Sequence, residues 1–332
     1  MTMPDDEAQT AALLGTLRSE PSVAARERAF ASLRQEFAVA AASTDTAAAA
    51  RRSARWPIGI AAAILLVMSG GLTFQAMQPG QRVARLEALD GALVSHGAHW
   101  FSRDMQADVG AILAAGDSLL TRDGGALLRL SPDLSVRLAS GSRARLRGAD
   151  EIDLIVGEAF VDATPGTHAA LRIVTPHGEV THLGTQYLVR SGPDEIEVSV
   201  REGRAQLKTA EATSFANAGE WLRRNDRDSA VRSGKLPAGD TRFEWIAALP
   251  TDFKLEGATL GEFLSWFRRE TGLSAIYAED LDSGHLSQVQ LKGSIENLEP
   301  IEALSLVLAT ADLAWHRDGT KVIIERRPAN TG

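Results

Sequence analysis

The sequence predicts a multidomain protein: a short helical cytoplasmic tail, one transmembrane helix, an all-β sandwich or roll, and a C-terminal α+β domain. Three observations carry this reading. Trp56 to Gln81 contains no charged side chain, and Ile58 to Phe74 within it is almost wholly apolar. From Leu86 to about Leu222, short alternating segments recur between turn residues, the pattern of an antiparallel sandwich or roll. After Phe243, helical and strand periods alternate within one short stretch.

The totals set limits. A chain of 332 residues has room for two or three domains, and 44% hydrophobic with 23% charged residues is a globular composition, not a disordered one. The first 55 residues carry seven Arg against seven Asp plus Glu, so the whole net charge of -8 falls after the apolar segment. An acidic exterior argues against nucleic acid as the partner. Cysteine is absent, which excludes disulfides, thiolate metal sites and cysteine nucleophiles, and suits an oxidising periplasm.

In the tail, residues 1–55, helical spacing links Leu13, Leu14 and Leu17, then Phe30, Leu33 and Phe37, with a break at Ser19-Glu20-Pro21-Ser22. Stripes this narrow make no stable core in about 30 residues, so the segment is either completed by a partner or is a tail with incidental helicity. The low-complexity run Ala40 to Ala50 reads as a tether.

The next segment, 56–78, has the length of a membrane span, since about 20 residues at ~1.5 Å rise cover the hydrocarbon core. Pro57 sits in the first turn, where its missing N–H is harmless. More than fifty residues precede the run and no small-x-small cleavage site follows it, so an anchor fits better than a signal peptide. Arg51, Arg52 and Arg55 precede it, and Arg82 and Arg85 follow it among Glu87 and Asp90, which favours a cytoplasmic N-terminus by three basic residues to two.

Residues 86–222 form the all-β part, with strands expected at Ser135 to Ala139, Ile152 to Phe160, Leu171 to Thr175, Gln186 to Arg190, Ile196 to Val200 and Arg204 to Lys208. The polar stretch up to Arg242 reads as an interdomain linker, placed at 223–242. In 243–328, Thr259-Leu260-Gly261-Glu262 has the form of a capping box and precedes the apolar face Phe263, Leu264, Trp266 and Phe267, ending before Gly272. Pro300 starts a second helix carrying Ala303, Leu304, Val307 and Leu308, and Asp318-Gly319 joins a hairpin. With strands near Phe253, Ile276 and Val289, the expected order is β-α-β-β-α-β-β.

Several motifs stand in order along the β part. They are Gly116-Asp117-Ser118-Leu119-Leu120-Thr121, Val136-Arg137-Leu138, Gly157-Glu158-Ala159-Phe160, Ile173-Val174-Thr175-Pro176-His177-Gly178, Leu183 to Val189, and Val198 to Ala205. Together they resemble the core signature of the FecR family of transmembrane signal regulators, of the anti-sigma factor type. Leu260-Gly261-Glu262-Phe263-Leu264 and Lys292-Gly293 resemble the short N-terminal domain of secretins and TonB-dependent transducers.

That resemblance implies a single-pass protein of the bacterial inner membrane, N-terminus cytoplasmic and C-terminus periplasmic. It would sense an outer-membrane TonB-dependent transducer and control a sigma factor of the extracytoplasmic-function class. Members of the family commonly begin with a longer helical domain containing a Trp motif, whereas here Trp56 stands only at the far edge of the tail. The sigma-factor contact candidates are therefore Leu13, Leu17, Phe30, Leu33 and Phe37, as an amphipathic helix in a groove. The alternative is a membrane-anchored envelope scaffold without sigma-factor control.

The chain reads as a regulator, not a turnover enzyme. One place invites reaction chemistry: the Thr185 hydroxyl, directly after Gly184, could attack the glycine carbonyl in an N-to-O acyl shift, with His182 as the base. Some FecR-type regulators are processed at such a Gly-Thr step. The other reading of the same residues is an ordinary turn before a buried strand. His96 and His99 are three apart but lack a third ligand at useful spacing, and no cofactor is expected. Trp245, Trp266 and Trp315 read as packing residues rather than a receptor patch.

Overall fold

The computed structural model describes residues 81–97, 104–164, 171–237 and 240–327. Fifteen strands come first along the chain: β1 Arg82–Leu89, β2 Ala92–His96, β3 Asp104–Ala107, β4 Ile112–Ala114, β5 Ser118–Arg122, β6 Ala126–Ser131, β7 Leu134–Leu138, β8 Arg143–Leu146, β9 Glu151–Ala163, β10 Arg172–Thr175, β11 Gly178–Ser191, β12 Glu195–Lys208, β13 Thr213–Asn217, β14 Glu220–Asn225 and β15 Asp228–Lys235. They hydrogen-bond into one 15-stranded sheet folded on itself as a closed, barrel-like roll.

Three long strands make the fold-over. The last residues of β9 pair with β7 and β11, while its first residues pair with β8 and β10. Along β11, the first half faces β10 and the end of β12, and the second half faces β9 and the start of β12. Likewise β12 pairs first with β14, then with β13. Each strand therefore belongs to two leaves and turns a corner between them.

The corners are visible as changes of parity. Side chains alternate across a strand, so one inserted residue moves the apolar set to the other parity. In β9 the buried set is Ile152 and Leu154 before Gly157, then Ala159, Val161 and Ala163 after it. In β11 it passes from Val180 to Tyr187 and Val189, and in β12 from Ile196, Val198 and Val200 to Ala205 and Leu207. Each switch spans one glycine of positive φ: Gly157, Gly184 and Gly203. The two leaves close on one apolar core running from Val83 to Leu222.

A second, smaller lobe follows. Residues Thr241–Ala248 form a 3-10 turn, then come α1 Leu260–Thr271, β16 Ser274–Tyr277, α2 Ser283–Leu286, α3 Pro300–Thr310, β17 Leu313–Asp318 and β18 Lys321–Arg326. Helix α1 starts on a true capping box, Thr259 accepting from the Glu262 amide while Glu262 accepts from the Thr259 amide, and ends on Gly272 at φ +75. Its apolar face, Leu260, Phe263, Leu264 and Phe267, packs with Leu304, Val307 and Leu308 of α3 against Val322 and Ile324. The sheet order is β16-β18-β17, parallel then antiparallel.

The expected fold class is corrected. The described residues are mostly β, with few helices, and no helix among them is long and apolar enough to cross a membrane. The helical tail 1–55 and the segment 56–78 lie outside the described residues. The stretch read as a linker, 223–242, is instead built into the roll: β14 and β15 form a hairpin, and β14 pairs with β12. Its polar composition misled because two of its strand faces look into solvent. In the small lobe the order is α-β-α-α-β-β, not β-α-β-β-α-β-β. Phe253 packs from an irregular segment, and Gln290, next to Val289, makes a single bridge to Thr259.

Candidate functional site

The Gly184–Thr185 step sits at the β11 corner. Pairing with β12 slips between Leu183 and Gln186, and Gly184 takes φ +57, a left-handed conformation that suits glycine. Opposite it, a Cβ on Gly203 would stand 2.4 Å from the Gly184 carbonyl oxygen and 3.1 Å from the Thr185 Cα and hydroxyl. Two backbones thus approach with no room for a side chain. Thr185 is 1% exposed, and its hydroxyl donates to the Arg204 carbonyl at 3.0 Å.

His182 lies on the same strand, buried, with its ring against Tyr187 at 5.5 Å between centroids. Its Nε2 accepts from the Leu171 amide at 3.1 Å, and burial pushes its pKa below the ordinary value. The Nδ1 atom is buried without a hydrogen-bond partner. A low pKa keeps the imidazole neutral, as a base requires, but the lone pair is committed to Leu171 and the Thr185 hydroxyl to Arg204. The structure brings the three candidate residues to one corner and engages each in holding it.

A second, larger constellation joins the two lobes, and sequence reasoning missed it. It lies on the outer face of β7, β9, β11 and β12, opposite the core. Arg137 on β7 and Glu270 at the end of α1 form an ion pair with both side chains at 0% exposure. Arg137 Nε also donates to the Leu249 carbonyl at 2.7 Å, and the Thr251 hydroxyl donates to Glu270. Both charges are thereby hydrogen-bonded as well as paired, which offsets part of the cost of holding them away from water, while the buried Nη1 of Arg137 has no hydrogen-bond partner.

Beside this pair, Arg201 of β12 reaches the C-terminal end of α1, where helix carbonyls lack internal partners. It donates to the carbonyl of Arg269, to that of Glu270 at 3.5 Å and to Gln186 Oε1 at 3.0 Å, while Gln186 donates to the Arg269 carbonyl at 3.0 Å. The guanidinium lies over Phe160 at 4.8 Å and Phe243 at 5.7 Å. Burial lowers its pKa to about 10, against the opposing pull of Asp162, so it remains a cation at neutral pH. Arg269 pairs with the buried Asp162, with Nε 3.1 Å from Oδ2.

The 3-10 turn completes the joint. Ile246 fills a small apolar cluster with Phe160 and Leu188, and Phe243 and Trp245 pack on it. Arg242 shares the buried Glu197 with Arg223. The turn thus covers the outward apolar side chains Phe160 and Leu188. The signal that could have revealed this face is the run of β9, β11 and β12 in which residues of both parities are buried, polar ones included: Asp162, Gln186, Glu197 and Ser199. One sequence cannot show burial of a polar residue.

The proposed sigma-factor contacts Leu13, Leu17, Phe30, Leu33 and Phe37 lie outside the described residues, as does His99. Among the described residues no group of three or more His, Cys, Asp or Glu could hold a metal ion. Trp266 packs with Phe253 and Phe263 and donates to the Thr251 carbonyl, and Trp315 packs against the lobe core.

Residues 117–206 match the family model described as FecR protein. The match runs from just before β5 into the second half of β12 and so includes all three corners. No curated protein matches the chain. Among solved structures, a candidate anti-sigma factor from Parabacteroides distasonis ATCC 8503 is similar in two crystal structures. Both show 13% identity and a TM-score of 0.34, covering 63% and 62% of this chain and 98% and 96% of the other.

Proposed function

We propose that this chain, a FecR-type regulator, acts at the bacterial inner membrane with its β structure on the periplasmic side, its N-terminus in the cytoplasm and an extracytoplasmic-function sigma factor as its cytoplasmic partner. The observation that supports the reading is the family match over residues 117–206, which falls on the same motifs that carry the resemblance in the sequence. A TonB-dependent transducer of the outer membrane is the periplasmic partner in this proposal, received by the small lobe. The joint suits that role: charge pairs and hydrogen bonds with exact partners fix one arrangement of the lobes, so a partner on the small lobe acts on the roll through Arg137, Arg201 and Arg269.

Two experiments test it. Alkaline phosphatase fused after Trp100 gives active colonies if this part is periplasmic, and inactive ones remove the location. The full-length chain co-purifies with the sigma factor, and the chain lacking residues 1–55 does not. Equal recovery without those residues, or none with them, favours the membrane-anchored scaffold.

No turnover chemistry enters this function. Self-cleavage at Gly184–Thr185 finds no support in the resting geometry, in which the attacking hydroxyl and the base are each held by other groups. Gel analysis of wild type beside Thr185→Ala checks it: one intact band from both is expected, and a fragment pair lost only in the variant would restore Thr185 as a nucleophile.

A further inference from the structure

Between the start of the roll and the small lobe lies an open cleft of about 680 Å³. Its apolar walls come from Leu89 and Val109 on one side and Phe253, Trp266 and Leu298 on the other. Its rim carries Asp252, Glu296, Glu299 and Lys254. Among the described residues Asp252 and Glu296 are in no ion pair, Glu299 serves the α3 capping box, and the nearby Glu87 is neutralised by Arg129. Three carboxylates thus face one ammonium, a net of two negative charges at the mouth.

Exposed apolar side chains also stand near the cleft-lining Val109 in the chain. Of the eight large hydrophobic side chains that stand exposed among the described residues, Met105, Val109 and Ile112 fall within one eight-residue stretch, and Val109, 60% exposed, is shared with the cleft wall. Concentrated exposure of this kind marks an interaction surface, where scattered single residues would not. A cleft of about 680 Å³ has room for a large side chain and its flanks.

We propose that this corner receives a segment of a partner polypeptide that carries an apolar anchor flanked by Lys or Arg. The anchor enters between Val109 and Trp266, and the basic side chains meet Asp252, Glu296 and Glu299. The edge strand β4 offers no ladder to a partner at Ala114, whose outward N–H and C=O are both taken by Asp117, at 2.8 and 3.2 Å. Recognition therefore rests on side chains and charge. It does not depend on the sigma-factor reading, because no residue of the tail takes part.

The test uses the full-length chain and a fluorescein-labelled octapeptide of alternating leucine and lysine, read by anisotropy, with an alternating leucine and glutamate peptide as the control. The lysine peptide binds saturably and the control does not. The double variant Asp252→Lys with Glu296→Lys, both exposed positions, weakens binding about tenfold and flattens its salt dependence. Val109→Ser weakens it severalfold with the salt dependence kept. Absence of saturable binding, equal binding of the glutamate peptide, or indifference to both sets of variants overturns the proposal. None of these outcomes touches the co-purification result, so the two readings fail separately.

Discussion

At the scale of single residues, buried polar groups and the partners they hold set the stability. Removing one partner of Arg137 and Glu270 strands the other charge, so Arg137→Met costs about 3–5 kcal/mol by denaturant unfolding, while Arg137→Met with Glu270→Met recovers most of the loss. Additive losses in that cycle would show that the two side chains do not meet. At the corner, Thr185→Val leaves the Arg204 carbonyl unpaired and costs about 1–3 kcal/mol, while Thr185→Ser, which keeps the donor, costs less. His182 supplies a pH dependence of definite sign. Its folded pKa is depressed by burial, so the unfolded state binds the proton more readily; its contribution is intact above the ordinary value near 6.5 and is lost as pH falls from there toward the folded pKa. Wild type therefore loses more stability between about pH 7.5 and 5.5 than His182→Gln does, and parallel losses would show that another group titrates.

At the scale of elements, what was legible followed local rules. The α1 start was readable because Thr259 and Glu262 satisfy each other's backbone within four residues, and its end because Gly272 can take a positive φ. The segments expected as strands between Ser135 and Lys208 lie within β7, β9, β10, β11 and β12 or at their ends. The corners were legible in principle, as three changes of apolar parity each spanning a glycine, but alternation within short windows hides a switch that only a 13- or 14-residue strand displays. What failed was non-local. Residues 228–235 have few apolar side chains because β15 is an edge strand with one neighbour, so composition alone suggested a linker. The joint escaped for the same reason, since the partners Arg137 and Glu270 are 133 positions apart. The capping box carries its own prediction. The Thr259 amide and hydroxyl hold the Glu262 carboxyl below the usual range, so its stabilising effect is present above the ordinary carboxylate pKa and is lost as pH falls through the depressed value. Amide exchange in the first turn of α1 speeds up on acidification in wild type and is already fast in Glu262→Ala; a pH-independent rate in wild type would contradict this.

At the scale of the whole molecule, a barrel-like roll and a small α+β lobe are fixed to each other by a joint whose interactions are mainly charged and directional. Such a joint specifies an arrangement more than it adds stability. Breaking it with Arg201→Ala removes a cation from between Phe160 and Phe243 and from the end of α1, and the lobes should then unfold in two separate transitions where wild type shows one. A single transition in the variant would show that the joint is dispensable for coupling. The central proposal is that this chain, which matches the FecR protein model over residues 117–206, governs a sigma factor. It is tested most directly by transcription from a promoter of the extracytoplasmic-function sigma factor in cells that hold the full-length chain, the chain lacking residues 1–55, or neither. The account predicts that output with the full chain differs from the other two, which agree with each other; identical output in all three contradicts it.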